Sequence, residues 1–402
     1  MKIVHIGVGT FPPVYSPLGG AIQRRIAELA QAQSTRGHEV TVFSPGHDTG
    51  SDRVGEVDVH YISTRSRPPL VQLEYQARVM ATLRRRRQSF DVMHFHSQPE
   101  GAWASRSNPA LKVLSYDNFY FRRGKRSGLY PLYQRALRAF DVLLPCSHYC
   151  LEQSSSYWAL PTDRRRVLFN GVNVEQFRED LAAGQHQREL LQPRKRVILY
   201  LGRVCEQKGT DTLLEAFPAV RRADGDVDLM IAGPIAQFAQ RHTRDRAIWL
   251  SRMETAGATY LGLVPDDRLV GLLNLADIFV MPTRELEMFG MAAVEAQACG
   301  TPVVASDHGG LRETVPAEVG LRFAPGVASE LADALVTLLR GADLRARLGT
   351  GALENARQYS WDKIAVSLDN IYEDFIGPGA TRHQTSHSAL NLAIGGGEGA
   401  EP

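Results

Sequence analysis

The chain has 402 residues, 44% of them apolar and 22% charged, with a net charge of +2 at pH 7. At about 150 residues per unit this is a soluble globular protein of two or three domains, and a disordered chain, a collagen-like chain and a disulfide scaffold are excluded. The near-neutral charge makes no global case for nucleic acid as a partner. Apolar runs are strand-sized, about 5–7 residues, too short for a membrane-spanning helix. Residues 1–8 superficially resemble a signal peptide, but the apolar stretch is short and no small-residue cleavage site follows. A cytoplasmic enzyme is therefore expected.

Short β-branched runs at 3–8, 40–44, 57–62, 92–96, 112–116, 142–145 and 167–170 read as strands. Between the first two, Ile22, Ile26, Leu29 and Gln33 trace a helical stripe. Continuous apolar strands alternating with helices mean βαβ units around parallel sheets. A polar stretch at 173–196 interrupts the series and reads as a linker with a helical turn. A second series follows at 197–201, 227–232, 258–263, 278–281, 302–306 and 320–323, with helices expected at 210–220, 266–275, 291–299 and along 329–376. Residues 377–402 are rich in Gly, His, Ser and Thr and read as a disordered tail. The organisation expected is a first domain at 1–175, a linker at 176–195, a second domain at 196–355, a returning helix at 356–376 and the tail. Cys146, Cys150, Cys205 and Cys299 have no metal-ligand spacing and read as buried free thiols.

Strand one leads into Gly7-Val8-Gly9-Thr10-Phe11-Pro12, which is not the tight G-x-G-x-x-G turn of a dinucleotide site. The loop is longer and ends in Gly19 and Gly20 at a helix start, where backbone and dipole can receive an anion. Ending a loop and capping a helix is the plainer reading. Gly202-Arg203 and Lys208-Gly209 straddle a strand-to-helix loop in the second half. Arg203 offers a planar fork and Lys208 a point charge, and together they can converge on one diphosphate. The strongest local signal is Glu287 with Glu295 eight residues on, around a helix start. Amides at Phe289, Gly290 and Met291 point at whatever anion lies there, Glu295 can accept from two vicinal hydroxyls, and Glu287 reaches the far side. That arrangement suits a sugar–diphosphate–ribose ligand. Asp307 to Glu313 follows the next strand with a second glycine pair, and Glu313 reads equally as a helix-start acid.

With these motifs in order, the chain resembles a GT-B glycosyltransferase of the large retaining family 4. Gly19-Gly20, Phe169-Asn170-Gly171-Val172-Asn173, Gly202-Arg203 with Lys208-Gly209, Glu287-x7-Glu295, and Ala298-x-Gly300-Thr301-Pro302 leading to Gly309-Gly310 and Glu313 carry the resemblance, over residues 1 to about 376. It implies two Rossmann-like doubly wound parallel-sheet domains facing a cleft, and a nucleotide-sugar donor held mainly by the second. It implies that Arg203 and Lys208 hold the diphosphate, that Glu295 binds the ribose, that Glu287 lies against the transferred sugar, and that the last helix crosses back to the first domain. No cofactor and no metal are implied. Asp226-Val227-Asp228 superficially matches a metal-binding motif but leads into a strand. The family's acceptor-side histidine falls at Asp117, within Ser115-Tyr116-Asp117-Asn118. This carboxylate can still accept from an acceptor hydroxyl, but the acceptor class is left open. His94 and His96 read either as cleft residues or as satisfied structural histidines. The arginine runs at 84–87, 122–126 and 164–166 read as solvated faces or as contacts with an acidic membrane surface or phosphorylated acceptor. The activity expected is transfer of a hexose or N-acetylhexosamine, UDP-linked, to a hydroxyl of a saccharide, lipid or natural-product acceptor. A binding protein without turnover and a nicotinamide-dependent oxidoreductase are the alternatives.

Overall fold

Aliphatic and β-branched runs without polar alternation suit strands covered on both faces, and here they assemble into two sheets. The structure is a computed structural model and describes residues 1–9, 12–16, 20–66, 70–86, 88–117, 130–158, 162–235, 242–285 and 287–377. The first sheet holds β1 (Lys2–Ile6), β2 (Glu39–Pro45), β3 (Gly50–Val54), β4 (Val57–Ile62), β5 (Val92–His96), β6 (Leu111–Tyr116) and β7 (Val142–Pro145), in the order β3-β4-β2-β1-β5-β6-β7. Its neighbours are parallel except β3, which is antiparallel to β4. The second sheet holds β8 (Arg196–Leu201), β9 (Val227–Ala232), β10 (Thr259–Gly262), β11 (Ile278–Met281), β12 (Val303–Ser306) and β13 (Gly320–Phe323). Their order is β10-β9-β8-β11-β12-β13, parallel throughout. Helices cover both sheets, giving two Rossmann-like domains.

Strand order reverses between β1 and β5 in the first sheet and between β8 and β11 in the second. Open α/β sheets receive ligands at the carboxyl ends of such strands. The segments that follow β1, β8 and β11 accordingly line one cleft between the domains.

The differences from the sequence reading have local causes. β3, Gly-Ser-Asp-Arg-Val, is almost wholly exposed and has no apolar pattern. It forms because Gly55, at φ +58, turns the chain back onto β4. Residues 167–170 are not a strand. Leu168 N donates to Pro145 O at 3.0 Å, and the pairing with β7 otherwise runs through residues 164–166, where Leu143 N donates to Arg164 O and Arg166 N to Leu143 O, so only an isolated bridge forms, at Arg165. The stretch read as a linker carries an 11-residue helix, Leu181–Leu191, capped by Asp180. Gly184 and Gly271 let it lie close on the helix Asp266–Leu275, since a Cβ at Gly271 would be 3.0 Å from Ala183 O. The helical end is three helices, Ala328–Arg340, Ala342–Ala356 and Trp361–Ile376.

The last of these packs on the first sheet. Trp361, Ile364, Ala365, Leu368 and Tyr372 share a core with Ile3, Leu29, Val113, Val142 and Leu144. Its junction explains one motif: Val172 N donates to Tyr359 O at 2.8 Å, and a Cβ on Gly171 would lie 2.5 Å from the Trp361 ring. The tail expected at 377–402 lies outside the described residues beyond Gly377.

Candidate active site

β8 ends at Leu201. The chain then passes Gly202 and the 3-10 turn Glu206–Lys208 to Gly209, which opens the helix Thr210–Ala223. Gly209 has φ +71, and a Cβ there would fall 1.7 Å from Pro282 O. Only glycine permits that approach. The amides of Arg284 and Glu285 donate to Gln207 O at 3.1 and 3.3 Å, tying this loop to the one after β11. Lys208 is thereby aimed at Glu287, with Nζ 2.5 Å from Oε2. Arg203 sits on the same loop but is exposed, and it is not among the residues lining the cleft.

Gly290, at φ +93, opens the helix Met291–Ala298. The first-turn amides of a helix have no intrahelical partner and carry its positive dipole end. Met291, Ala292 and Glu295 line the cleft. Phe289 does not: its ring is buried against Phe169 and Tyr359, so only its backbone can serve a ligand. Burial pushes the Glu295 carboxyl up, and the charge and hydrogen bond of Arg24 oppose that rise. The glycine pair before Glu313 packs backbone on backbone. Cβ atoms on Gly309 and Gly310 would meet Glu287 O and Met288 O at 2.3 and 2.2 Å, and Gly310 N donates to Glu287 O at 2.8 Å.

The first domain supplies Gly20, Ala21 and Arg24 to the cleft. Gly20 caps the helix Ala21–Thr35 and its amide donates to Gln23 Oε1 at 3.0 Å. Gly19 lies outside the described residues. Arg24 reaches across the cleft and donates to Glu295 Oε1, with Asp266 3.6 Å away. Arg25, fully buried, turns the other way to Asp117 and, at 3.1 Å, to Ser115 Oγ. Asp117 is therefore the partly exposed half of an ion pair with a buried arginine, with one oxygen committed to it.

Below Arg25 lies a polar seam. Gln33 Nε2 donates to Asp369 Oδ1 at 2.9 Å, which leaves Gln33 Oε1 to accept from His5 Nε2 at 2.8 Å. His5 Nδ1 then accepts from His96 Nε2 at 3.0 Å. His94 sits between Tyr372 Oη and Ser115 Oγ, 2.6 Å from each. Burial holds all three imidazoles neutral, that of His5 with a pKa of about 4 and those of His94 and His96 well below their ordinary value. The three rings could geometrically hold a cation. However, their nitrogens are engaged in this hydrogen-bond chain, His96 Nδ1 excepted, and the Arg25 charge beside them opposes one. His94 and His96 are thus structural histidines, outside the cleft lining.

Other candidates separate as clearly. Asp226 and Asp228 accept from the backbone amides of Lys195 and Arg194, at 3.4 and 2.7 Å, at the amino end of β9. Glu313 caps a helix of the opposite domain, accepting from His148 N at 2.9 Å and Tyr149 N at 2.7 Å. Cys146, Cys150 and Cys299 are buried free thiols, whereas Cys205 is half-exposed on the cleft loop. Arg164 and Arg166 donate to backbone carbonyls; residues 122–126 lie outside the described residues. Arg24 and Arg25 were not singled out from the sequence. Arg25 falls on the apolar stripe, three residues after Ile22, and a charge on a buried face demands a buried partner. That was the available signal.

Two parallel-sheet domains with a lysine, two carboxylates and a helix start in the cleft between them form a two-domain transferase architecture. Residues 19–176 match the family model Glycosyltransferase Family 4, and residues 183–355 match Glycosyl transferases group 1. The chain belongs to glycosyltransferase family 4, and it is a glycosyltransferase that takes its sugar from a nucleotide-sugar donor. It is 28% identical over 382 residues to a phosphatidyl-myo-inositol mannosyltransferase of Mycobacterium leprae, covering 91% of this chain and 96% of the relative. It is 32% identical over 258 residues to a D-inositol 3-phosphate glycosyltransferase of Corynebacterium glutamicum, covering 61% and 60%. Among solved structures, Anabaena HepE in complex with UDP-glucose superimposes with a TM-score of 0.73 at 19% identity, over 92% of this chain and 99% of that one.

Proposed function

We propose that the protein moves a hexose or N-acetylhexosamine from a UDP-sugar to an acceptor hydroxyl, with retention at the anomeric carbon and without a metal. The observation that carries this reading is the convergence of Lys208, Glu287, Glu295 and the start of the helix Met291–Ala298 on one cleft. Charge appears on the β-phosphate oxygens as the nucleoside diphosphate departs. Lys208, the helix-start amides and Arg203, swung in from the same loop, stabilise it as it develops. In the free protein Lys208 is neutralised by Glu287; an arriving diphosphate draws the ammonium away and leaves the carboxylate to the sugar hydroxyls. Attack comes from the face of the departing group, and the leaving phosphate takes the acceptor proton. Asp117, anchored by Arg25, offers its remaining oxygen to the acceptor. UDP as the nucleotide is supported by the HepE complex, and a polyol or lipid-linked acceptor by the names of the inositol-directed relatives.

The domain at 1–175 is then the acceptor side and that at 196–355 the donor side. The helix Val71–Arg86 ends in exposed Arg84, Arg85 and Arg86 and begins beside exposed Leu70 and Leu73, which supports contact with an acidic membrane surface. No helix among the described residues is long and apolar enough to cross a membrane, which suits a cytoplasmic enzyme that acts at such a surface. Incubation with a panel of UDP-sugars should release UDP slowly without acceptor and faster with an inositol-type acceptor. Glu295→Ala should abolish the release. Release that survives this substitution, or NADPH binding in the cleft, would refute the assignment.

A further inference from the structure

Standing alone, Glu295 would be a poor acceptor of hydrogen bonds. Its side chain is 4% exposed, and burial favours the neutral acid. Asp266 pushes the same way, and Cys299, four residues and about one turn further on, is raised to about 12 and stays neutral. The cation in contact with Glu295 is Arg24, which comes from the other domain. Glu295, Asp266 and Glu28 all act on this one guanidinium, and Glu28 in turn has Asn173 as a partner and Asp362 as a neighbour. The Lys208–Glu287 pair on the same wall of the cleft brings no net charge. Without Arg24 the local charge is therefore uncompensated.

Arg24 is held in place from behind. The next residue, Arg25, is locked by Asp117 and Ser115, which fixes the rotation of the helix Ala21–Thr35 about its axis. The guanidinium meets Glu295 where the two domains face each other across the cleft.

We propose that Arg24 is a positioning residue for the donor's nucleoside: it keeps the Glu295 carboxylate charged and oriented toward the ribose hydroxyls, and it makes that half-site complete only when the domains close. This rests on the reading of Glu295 as the ribose partner. A carboxylate can accept from two vicinal hydroxyls, whereas the neutral acid loses acceptor capacity and adds a donor.

The test is calorimetric titration of the full-length protein with UDP, or with GDP if UDP gives no heat, and separately with inorganic pyrophosphate, which has no ribose. Wild type, R24Q, R24K and E295Q are compared at about pH 6 and about pH 8.5, with melting curves for each. R24Q should lose about tenfold in nucleotide affinity at the lower pH, the scale of a hydrogen bond to a charged group, and less at the higher pH, since a rise in pH favours the carboxylate that burial opposes. Its pyrophosphate affinity should be unchanged, and R24K should restore most of the loss. If R24Q melts early, the R24K pH profile against wild type decides, since a lysine keeps the charge. The proposal is overturned if the Arg24 variants bind nucleotide like wild type or more tightly, or lose nucleotide and pyrophosphate alike. If E295Q binds nucleotide like wild type, the ribose reading itself falls; if E295Q fails and R24Q does not, only the role of Arg24 is discarded.

Discussion

The two walls of the cleft are built on opposite plans. In the second domain the central strands β8 and β11 are apolar, Val197 to Tyr200 and Ile278 to Met281. The polar chemistry begins only on the loops beyond them, at Lys208, Glu287 and Glu295. In the first domain the corresponding strands β1 and β5 carry His5, His94 and His96, and two hydrogen-bonded stretches, Asp117–Arg25–Ser115–His94 and His96–His5–Gln33–Asp369, lie beneath the helix Ala21–Thr35, joined by the stacked rings of His94 and His96. Chemistry on the second domain's wall is therefore separable from the core, whereas on the facing wall it is continuous with the packing of the returning helix.

The sharpest break of this contrast uses Lys208. Lys208→Ala should lower kcat/KM by about 100-fold or more, the scale of losing one charge-stabilising donor, while the melting temperature stays nearly unchanged. Equal loss of both would show that the second domain's wall, too, is woven into its core.

Acid should act on the other wall. Free imidazoles titrate near 6.5, and the three buried ones lie lower. Below that value the unfolded chain takes up protons that the fold refuses. Stability is complete above about pH 6.5 and falls toward pH 4, by roughly 1 kcal/mol per pH unit for each imidazole that stays neutral. Asp369 adds in the same sense. Burial alone would raise its carboxyl, but hydrogen bonds from His38 and Arg36 hold it below the usual range, so its contribution is present above the ordinary carboxyl value and is lost as pH falls through the lowered one. Thermal melts between pH 8 and pH 4.5 measure the imidazole part, and a midpoint flat down to pH 5 contradicts it; the Asp369 part shows only below the ordinary carboxyl value.

The smallest effect concerns the clasp between the walls. Glu313→Ala removes the acceptor of two amides at the start of the helix His148–Tyr157, about 1 kcal/mol for such a cap. Faster hydrogen exchange confined to that first turn and a slightly larger radius of gyration in solution scattering are expected. Unchanged exchange at His148 and Tyr149 would mean that water replaces the carboxylate at no cost.

Much of the fold was legible because parallel strands covered on both faces announce themselves as unbroken apolar runs. β3 was not, since its residues are exposed and its pairing comes from a turn. The helix Leu181–Leu191 was hidden because two glycines, not an apolar stripe, let it dock. On the second domain's wall Lys208, Glu287 and Glu295 could be read from spacing on short loops. The Arg24–Glu295 contact could not, because it joins residues 271 apart and exists only where two domains meet. Glu313 carried a readable helix-start signal, but the helix it serves is remote in sequence.

The return of the chain at Gly171 and Trp361 bears on how the protein can be divided. A fragment ending near residue 175 would bare the greasy strip formed by Ile3, Leu29, Val113 and Leu144 and leave Gln33, Arg36 and His38 without their carboxylate. Biosynthesis of the first lobe is then unfinished until the helix Trp361–Ile376 leaves the ribosome, and an amino-terminal half expressed alone will need residues 360–376 supplied as a separate peptide to stay in solution.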